Sequence, residues 1–225
     1  MRPFAEILAI AAARKGGEAA VLGDTAPPKS AAELAAIPDD RWLAMMARVI
    51  FQAGISWQVV ERKWPEIEAA FDGFAPGPLS MMDDDRFDAL LADPRVIRSG
   101  AKIAAIRDNA AFVRRVSGEA GSFGRRIADW PGSDFAGLLT WLETNGSRLG
   151  GNSGAYVLRF MGRDGWILSR DVVARLRAEG VIDGPATSRK ALGAVQGAFN
   201  RWQAESGLPL TTISRTLAQS IDADD

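Results

Sequence analysis

The chain has 225 residues, a formal net charge of −1, and neither cysteine nor histidine. Such a length can bury a substantial core. The two missing residue types exclude disulfides, thiolate nucleophiles, catalytic triads that use histidine, and zinc sites built from cysteine and histidine. We therefore expect no metal and no cofactor, and any chemistry must use carboxylates, lysine, hydroxyls, amides or aromatic rings.

The first fifty residues predict three helices. An Ala-rich helix is predicted over residues 3–15, and a Pro-rich connector leads from it to Ser30. Ser30 and Glu33 form a capping-box pattern that starts a second helix. A third helix begins at Pro38, and its apolar side chains recur at helical spacing, which predicts a core face of Trp42, Leu43, Met46, Val49 and Ile50.

The middle of the chain continues this helical pattern. A helix is predicted from Ser56 to Gly73, and Pro65 is expected to bend or divide it. A loop at residues 76–78 precedes Asp83–Asp85, three acids that suit the start of a helix and that we interpret as caps, with a metal site as the less favoured alternative. A long helix follows over residues 100–116, and Pro131-Gly132-Ser133 introduces the next one.

The C-terminal third contains a glycine-rich loop at Asn145–Gly154. No strand precedes this loop and it lacks the Gly-Lys-Ser/Thr ending of a P-loop, so we exclude nucleotide binding there. Because no alternating β pattern occurs, the predicted class is all-α, and we expect one helical domain over residues 1–225. Further helices are predicted at residues 156–161, 169–179, 187–205 and 210–221, with an acidic tail at residues 222–225.

The stretch Gln52-Ala53-Gly54-Ile55-Ser56-Trp57 joins two of the predicted helices. Gly54 permits a sharp turn, and Ser56 can cap the helix that follows. Ile55 would then form an apolar tip, with Trp57 beside it in the first helical turn. The alternative is an ordinary helix corner whose tryptophan belongs to the core.

This hexapeptide resembles the Gln-Ala-Gly-Leu-Ser-Trp signature of the 3-methyladenine DNA glycosylase I family, which belongs to the helix-hairpin-helix glycosylases. The resemblance continues beyond the signature. Lys63–Phe74 is similar to the family's Lys-Arg-x-x-Phe-x-x-Ala-Phe-x-x-Phe helix. A second family segment matches Val96-Ile97-Arg98, Lys102-Ile103 and Asn109-Ala110.

A hairpin between two predicted helices also resembles this family. The family's pattern there is Leu-x-x-x-Gly-Phe-x-Phe-Val-Gly-Pro-Thr, and this chain has Leu176, Gly180, Gly184-Pro185 and Thr187, with a hairpin that is one residue shorter. A glycine-rich hairpin aims backbone N–H groups outward, and the next helix adds its positive N-terminus, so together they form an anion site suited to a DNA phosphate. Arg189 and Lys190 would add charge. The alternative is a plain pair of antiparallel helices.

The resemblance implies a helix-hairpin-helix glycosylase fold, with two lobes and a DNA and base cleft between them. Family members hydrolyse the N-glycosidic bond of alkylated bases such as 3-methyladenine after the base is flipped out of the duplex. By this resemblance Gly54 and Ile55 enter the gap in the duplex and Trp57 stacks on the flipped base. Lys102 is assigned to DNA contact as well. An alkylated purine is cationic, and a tryptophan face attracts cations.

The chain departs from the family in three respects. It lacks the cysteines and histidines of the family's structural zinc site, and residues 1–30 lack the aromatic segment that completes the family's base pocket. The family also places a glutamate eight residues before the signature tryptophan, where it hydrogen-bonds the methylated base. Val49 occupies that position here. We therefore assign Val49 to the base pocket and leave the catalytic residue unknown.

The charges are unevenly distributed. Residues 1–94 contain 9 Lys and Arg against 15 Asp and Glu, whereas residues 95–225 contain 18 against 13. A basic half fits a DNA-binding face, although charges scattered over solvated helices would give the same balance. No secretory pattern or run of eighteen apolar residues occurs, so we expect a cytoplasmic monomer with no membrane association.

Three functions remain open on this basis. The first is a DNA repair glycosylase acting on alkylated bases in damaged double-stranded DNA. The second is a non-catalytic DNA-binding protein that keeps the glycosylase fold. The third is a helical protein whose surface tryptophan and hairpin bind another partner.

Overall fold

The computed structural model describes residues 1–23 and 25–222, and within them every regular element is helical, which confirms the all-α class. Short 3₁₀ turns occur at Asp72–Phe74 and Gly132–Asp134. The α-helices, in chain order, are α1 (Phe4–Lys15), α2 (Glu18–Leu22), α3 (Ala31–Ala35), α4 (Asp39–Gln52), α5 (Trp57–Ala70), α6 (Pro76–Ser80), α7 (Asp84–Ala92), α8 (Gly100–Ala120), α9 (Phe123–Ala128), α10 (Phe135–Asn145), α11 (Asn152–Phe160), α12 (Arg170–Ala178), α13 (Arg189–Ser206) and α14 (Leu210–Gln219).

The chain forms two compact units. The Trp57 unit consists of Ser30–Trp130 and Leu139–Met161. The hairpin unit consists of the described parts of Met1–Lys29, Pro131–Leu138 and Gly162–Asp225.

The core of the Trp57 unit is built on α4 and α8. The apolar face predicted for α4 is buried, since Trp42, Leu43 and Met46 are fully enclosed and Val49 and Ile50 nearly so. This face packs against α8, whose own apolar stripe includes Ile103 and Ile106. Each large apolar side chain contributes about 1.5–3 kcal/mol when fully buried. The helical spacing in the sequence therefore predicted this core correctly.

The predicted helix starts are mostly confirmed. Ser30 and Glu33 form the capping box, with the Glu33 N–H donating to Ser30 Oγ at 3.2 Å and the Ser30 N–H donating to Glu33 Oε2 at 2.8 Å. Asp83 caps α7 by accepting from the Arg86 N–H at 2.8 Å. The interpretation of these aspartates as helix caps is thus confirmed for Asp83.

Pro65 was predicted to bend or divide its helix, and the structure contradicts the division. Helix α5 continues through Pro65 and ends at Ala70 rather than at Gly73. A proline removes one backbone hydrogen bond, but packing on both sides of it can hold the helix together. Val60 and Ile67 are both fully buried on either side of the proline.

Short helices account for most of the other differences between the predicted helices and those in the structure. Helices α2, α6 and α9 were not predicted, and each contains only five or six residues. Such segments complete fewer than two turns, so their apolar residues show no helical period. Helix α8 extends to Ala120, beyond the predicted end at residue 116.

The hairpin unit is organised around α12, α13 and α14. Its core contains the fully buried rings of Trp166, Phe199 and Trp202. Phe199 stacks on Trp166 at a centroid distance of 5.7 Å and meets Trp202 edge-on at 5.7 Å. Large aromatic rings in such arrangements contribute about 0.5–1.5 kcal/mol beyond their buried area.

The N-terminal residues are bound to this unit by two carboxylates, the buried Glu179 and the exposed Glu205. Glu179 accepts hydrogen bonds from the Arg2 N–H at 2.8 Å, from Arg2 Nη1 at 2.6 Å and from Arg175 Nη1 at 3.2 Å. Glu205 accepts from the Phe4 N–H at 2.8 Å. Trp202 Nε1 donates to the Arg2 carbonyl at 3.1 Å. These bonds hold the start of α1 against the end of α12 and the body of α13.

Of the predicted acidic tail, only Asp222 lies within the described residues, and it forms an ion pair with Arg14 at 3.2 Å. Residues 223–225 lie outside them. Across residues 1–23 and 25–222, no helix combines the length and the apolar character needed to cross a lipid bilayer.

Candidate base-binding site

The turn at residues 52–57 has the predicted geometry. Helix α4 ends at Gln52, and the Ile55 N–H donates to the Gln52 carbonyl at 3.1 Å. Gly54 adopts φ 75°, a conformation that residues with a Cβ rarely adopt. A Cβ at this position would meet no atom within 4 Å, so the backbone angle rather than space requires glycine. Ser56 occupies the N-cap position of α5, but its side chain makes no capping hydrogen bond.

Trp57 is a surface residue. Its side chain is 63% exposed at the first position of α5, so the alternative of a core tryptophan is wrong. Ile55 is half-buried beside it. The turn thus presents an apolar tip and an indole ring to solvent.

Two adjoining pockets share Gln52, Trp57 and Phe160 in their walls. The first, here called the Val49 pocket, has a volume of about 430 Å³ and is also lined by Val49, Ala53, Asn152, Ser153 and Tyr156. The second, the Glu61 pocket, has a volume of about 440 Å³ and is also lined by Met45, Arg48 and Glu61. Both volumes lie in the range of small-molecule sites, and both pockets lie within the Trp57 unit.

Helix α11 contributes the aromatic residues that sequence reasoning missed. Tyr156 and Phe160 are 38% and 55% exposed, and their rings stack at 5.8 Å. With Trp57 they account for three of the five large apolar side chains that are exposed among the described residues. A signal was present in the sequence, because the two aromatic residues lie four positions apart, opposite the buried residues Val157 and Leu158.

A clamped loop places α11 against the pocket. The fully buried Asn109 donates to the Ser147 carbonyl at 2.9 Å and accepts from the Ser147 N–H at 2.8 Å. The next residue, Arg148, adopts φ 58°, which is strained for a side chain of its size. The loop that follows α10 is therefore held in one conformation, and α11 begins directly after it at Asn152.

Val49 and Arg48 of α4 line the pockets, together with Glu61 of α5. Val49 is 6% exposed and lines the Val49 pocket. Arg48 donates to both carboxylate oxygens of Glu61, from Nε at 2.7 Å and from Nη2. Among the described residues that line these two pockets, Glu61 alone carries a carboxylate. The sequence did not predict this pair, because Arg48 and Glu61 lie on different helices and meet only once α4 and α5 pack together.

Lys102 lies beneath the turn rather than on the surface. Its ammonium donates to the Phe51 carbonyl at 2.9 Å and to the Ala53 carbonyl at 2.7 Å, and the residue is only 9% exposed. These carbonyls belong to the end of α4, where cations are favourable. Burial and, to a smaller extent, the charge of Arg148 lower the pKa of Lys102. This is not the solvent-facing position that the predicted DNA contact requires, and we assign Lys102 a structural role in the turn.

We expect the Lys102→Met variant to lose roughly 1–3 kcal/mol of unfolding free energy, because the buried Phe51 carbonyl and the part-buried Ala53 carbonyl lose a charged donor. Urea unfolding followed by tryptophan fluorescence would measure this loss. The matched control is Lys63→Met, since the Lys63 ammonium donates to the Pro94 carbonyl at 2.7 Å in an exposed position. Equal losses in the two variants would contradict the role assigned to Lys102.

The hairpin unit holds the second predicted motif. Gly180 adopts φ 68°, and the Val181 N–H donates to the Leu176 carbonyl at 2.9 Å, which closes the end of α12. Helix α13 begins at Arg189 rather than at the predicted residue 187, and Ser188 caps it by accepting from the Ala191 N–H at 3.2 Å.

The first turn of α13 is unusually basic. Arg189 and Lys190 are its first two residues, both are exposed, and no acid accompanies them in that turn. Cations at a helix N-terminus are unfavourable by about 0.3–1 kcal/mol each, and a bound anion would offset this cost. A small pocket of about 60 Å³ nearby is lined by residues that include Gly184, Ser188 and Lys190. Thr187 is exposed beside this pocket.

No group of three or more carboxylates in the described part of the chain is arranged to hold a metal ion.

Comparisons with known proteins show which proteins this chain is similar to. The sequence profile of the methyladenine glycosylase family matches residues 36–134, which include the turn, Val49, Glu61 and Lys102. A Glu-to-Gln mutant of 3-methyladenine DNA glycosylase I from Staphylococcus aureus is 19% identical, over 67% of this chain and 90% of that chain, with a TM-score of 0.50. Another structure of that S. aureus enzyme, concerned with 3-methyladenine recognition, is 22% identical over 56% and 77% of the two chains, with a TM-score of 0.49.

The mutant enzyme's structure shows the fold and no more, and it confirms the helical glycosylase-like fold that the motifs predicted. Helix α11 and the hairpin lie outside the segment that the family profile matches. The resemblance to the methyladenine glycosylase family that the signature around Trp57 predicts is therefore confirmed across residues 36–134.

Proposed function

We propose that this protein is a DNA repair glycosylase that hydrolyses the N-glycosidic bond of alkylated, 3-methyladenine-like bases after flipping them out of duplex DNA. One observation carries the proposal. An exposed tryptophan lies in the wall of two adjoining pockets, directly after the turn that bears the glycosylase signature. The natural partner is damaged double-stranded DNA, and the protein acts as a monomer.

The turn would supply the flipping device. Gly54 and Ile55 form a small apolar tip that can enter the space left in the duplex by the extruded nucleotide. Insertion of an apolar wedge between base steps is a common way to offset the cost of unstacking. Trp57 then lies against the extruded base, and its ring attracts an alkylated purine because that base is cationic.

Cleavage of the N-glycosidic bond of an alkylated base requires little acid-base catalysis from the protein. A cationic base is already a good leaving group, so bond cleavage needs mainly positioning and access of water. The pockets lack a free negative charge, since Glu61 is bound by Arg48 through both carboxylate oxygens and Val49 is apolar. Stacking on Trp57, Tyr156 and Phe160 would therefore contribute most of the binding energy for the base.

The hairpin would bind the DNA backbone. Replacing Arg189 and Lys190 together with alanine is expected to weaken binding to every duplex sequence alike, because phosphate contacts carry no sequence information. The slope of log affinity against log salt should fall by about two, one for each phosphate that the variant no longer neutralises. Fluorescence anisotropy at several salt concentrations would measure both effects. The control is Arg14→Ala with Lys15→Ala at the end of α1; an equal change in slope there would point to general charge rather than the hairpin.

The activity itself is tested by incubating the purified protein with methylated duplex DNA and separating the released bases by chromatography. Release of 3-methyladenine or another alkylated base is the expected result. No release, with salt-sensitive binding to the same duplex intact, would favour the second function, a non-catalytic DNA-binding protein. The observation that favours this second function is the pairing of Glu61, which leaves the pockets without a free carboxylate.

A further inference from the structure

Gln52 has its side chain in the walls of both pockets. Its amide nitrogen donates to Glu61 Oε1 at 3.0 Å. An ionised carboxylate can only accept hydrogen bonds, so the nitrogen and not the oxygen of the amide must face Glu61. The amide oxygen of Gln52 is consequently left as an acceptor on the wall that the two pockets share.

The orientation of this amide is fixed by the contacts of Glu61, which binds the amide nitrogen. Arg48 binds both oxygens of Glu61, and its guanidinium lies over the ring of Trp64 at 5.4 Å from the centroid. Trp64 in turn stacks on the fully buried Phe74 at 5.5 Å, with the ring planes 4° apart. This chain of contacts, from Phe74 through Trp64 and Arg48 to Glu61, holds the carboxylate in one place. Gln52 therefore cannot turn its oxygen toward Glu61 without losing a charge-assisted hydrogen bond.

Much of the remaining wall suits the flat faces of a base, and Asn152 and Ser153 are the other polar residues that line the Val49 pocket. Trp57, Tyr156 and Phe160 present aromatic rings, and Val49 is apolar. A fixed amide oxygen beside such surfaces would select a base whose edge carries an N–H donor. A site built to hydrogen-bond a group discriminates strongly against analogues that lack it, because the acceptor is then left unpaired.

We propose that Gln52 is the residue that recognises the base, with its amide oxygen accepting a hydrogen bond from the exocyclic amino group of an alkylated adenine. Glu61 and Arg48 are positioning residues that fix the amide. This proposal rests on the proposed function only in placing the flipped base at Trp57.

The test compares two free bases by calorimetric titration. The probes are 3-methyladenine and 3-methylpurine, which lacks the amino group. We expect the wild-type protein to bind 3-methyladenine about tenfold more tightly, as one hydrogen bond from a matched donor predicts. Equal affinities for the two bases, or no binding of either base, would overturn the proposal without the need for any variant.

Variants separate recognition from positioning. Gln52→Met should bind both bases with the affinity that the wild type shows for 3-methylpurine, because stacking on Trp57 remains and the hydrogen-bond acceptor is gone. Glu61→Gln should reduce the ratio of affinities, since a neutral amide permits Gln52 to rotate. Val59→Ala, a half-buried position on α5 outside both pocket walls, is the control and should keep the ratio. A wild-type ratio in Gln52→Met, with thermal unfolding unchanged, would contradict the role of Gln52.

The binding experiment and the excision assay test separate claims, namely base recognition by Gln52 and glycosylase activity. Selective binding of 3-methyladenine with no excision from DNA would reject catalysis and keep the recognition role of Gln52. Excision with an unchanged ratio in Gln52→Met would keep the glycosylase and reject the recognition role.

Discussion

The Trp57→Ala variant is expected to excise alkylated bases roughly 10- to 100-fold more slowly than the wild type, with nearly unchanged affinity for duplex DNA. Stacking of a base on an aromatic side chain contributes about 1–3 kcal/mol, and a cationic base gains further from the ring. This stacking exists only after the base has been flipped, so its loss affects the flipped state and the reaction that follows. Single-turnover release of base and anisotropy with the same duplex would measure the two quantities.

Protein stability provides the decisive control for Trp57. Since its side chain is 63% exposed, Trp57→Ala should change the unfolding free energy by no more than about 0.5 kcal/mol. Trp42→Ala, in the fully buried core of α4, should cost about 3–5 kcal/mol. Trp57→Phe should restore much of the excision rate, because the aromatic face remains. A loss of stability in Trp57→Ala close to that of Trp42→Ala would show that the indole belongs to the core.

The largest effect on stability outside the hydrophobic core is expected for Glu179→Gln. The Glu179 side chain is 2% exposed and is bound by Arg2 and Arg175. Removing one partner of a buried ion pair leaves uncompensated charge and costs about 3 kcal/mol. Urea unfolding at neutral pH would measure this loss. Glu119→Gln is the matched control, because Glu119 is 66% exposed and lies 4.0 Å from Arg115.

The contribution of Glu179 should also depend on pH in a defined direction. Burial alone would raise the pKa of Glu179, but the hydrogen bonds from Arg2, its charge and the hydrogen bond from Arg175 outweigh burial and lower the pKa below the ordinary value of 4.5. The folded protein therefore releases this proton more readily than the unfolded chain. The stabilisation is complete above the ordinary pKa and is lost as the pH falls through the lower pKa of the folded state. The difference between wild type and Glu179→Gln should shrink over that range, and a difference independent of pH would contradict the ion-pair explanation.

Local rules explain what could be predicted from the sequence alone. The spacing of Trp42, Met46 and Val49 predicted the buried face of α4, because a helix repeats every 3.6 residues whatever surrounds it. Gly54 predicted the turn, because the ability of glycine to adopt a positive φ is a property of that residue alone. Its φ in the structure is 75°. The signature ending in Trp57 then predicted a family, and through it the fold.

The pockets, in contrast, depend on which helices pack together. Phe160 lies in the same wall as Trp57 although about a hundred positions separate them in the sequence, and no local spacing relates the two. The pairing of Arg48 with Glu61 likewise depends on the angle between α4 and α5, which the packed core determines.

Tertiary structure also overrode two local expectations. Pro65 does not divide α5, because buried residues on both sides hold the helix together. Lys102 was assigned to DNA contact with the family resemblance, but the neighbouring end of α4 offers it two carbonyls beneath the turn. The sequence by itself thus determined the longer helices, the turn and the position of the tryptophan in the family signature. Only the packing of α4, α5, α8 and α11 decided which side chains form the pocket. The spacing of apolar residues determines which face of a helix is buried, but it does not determine which other helix packs against that face.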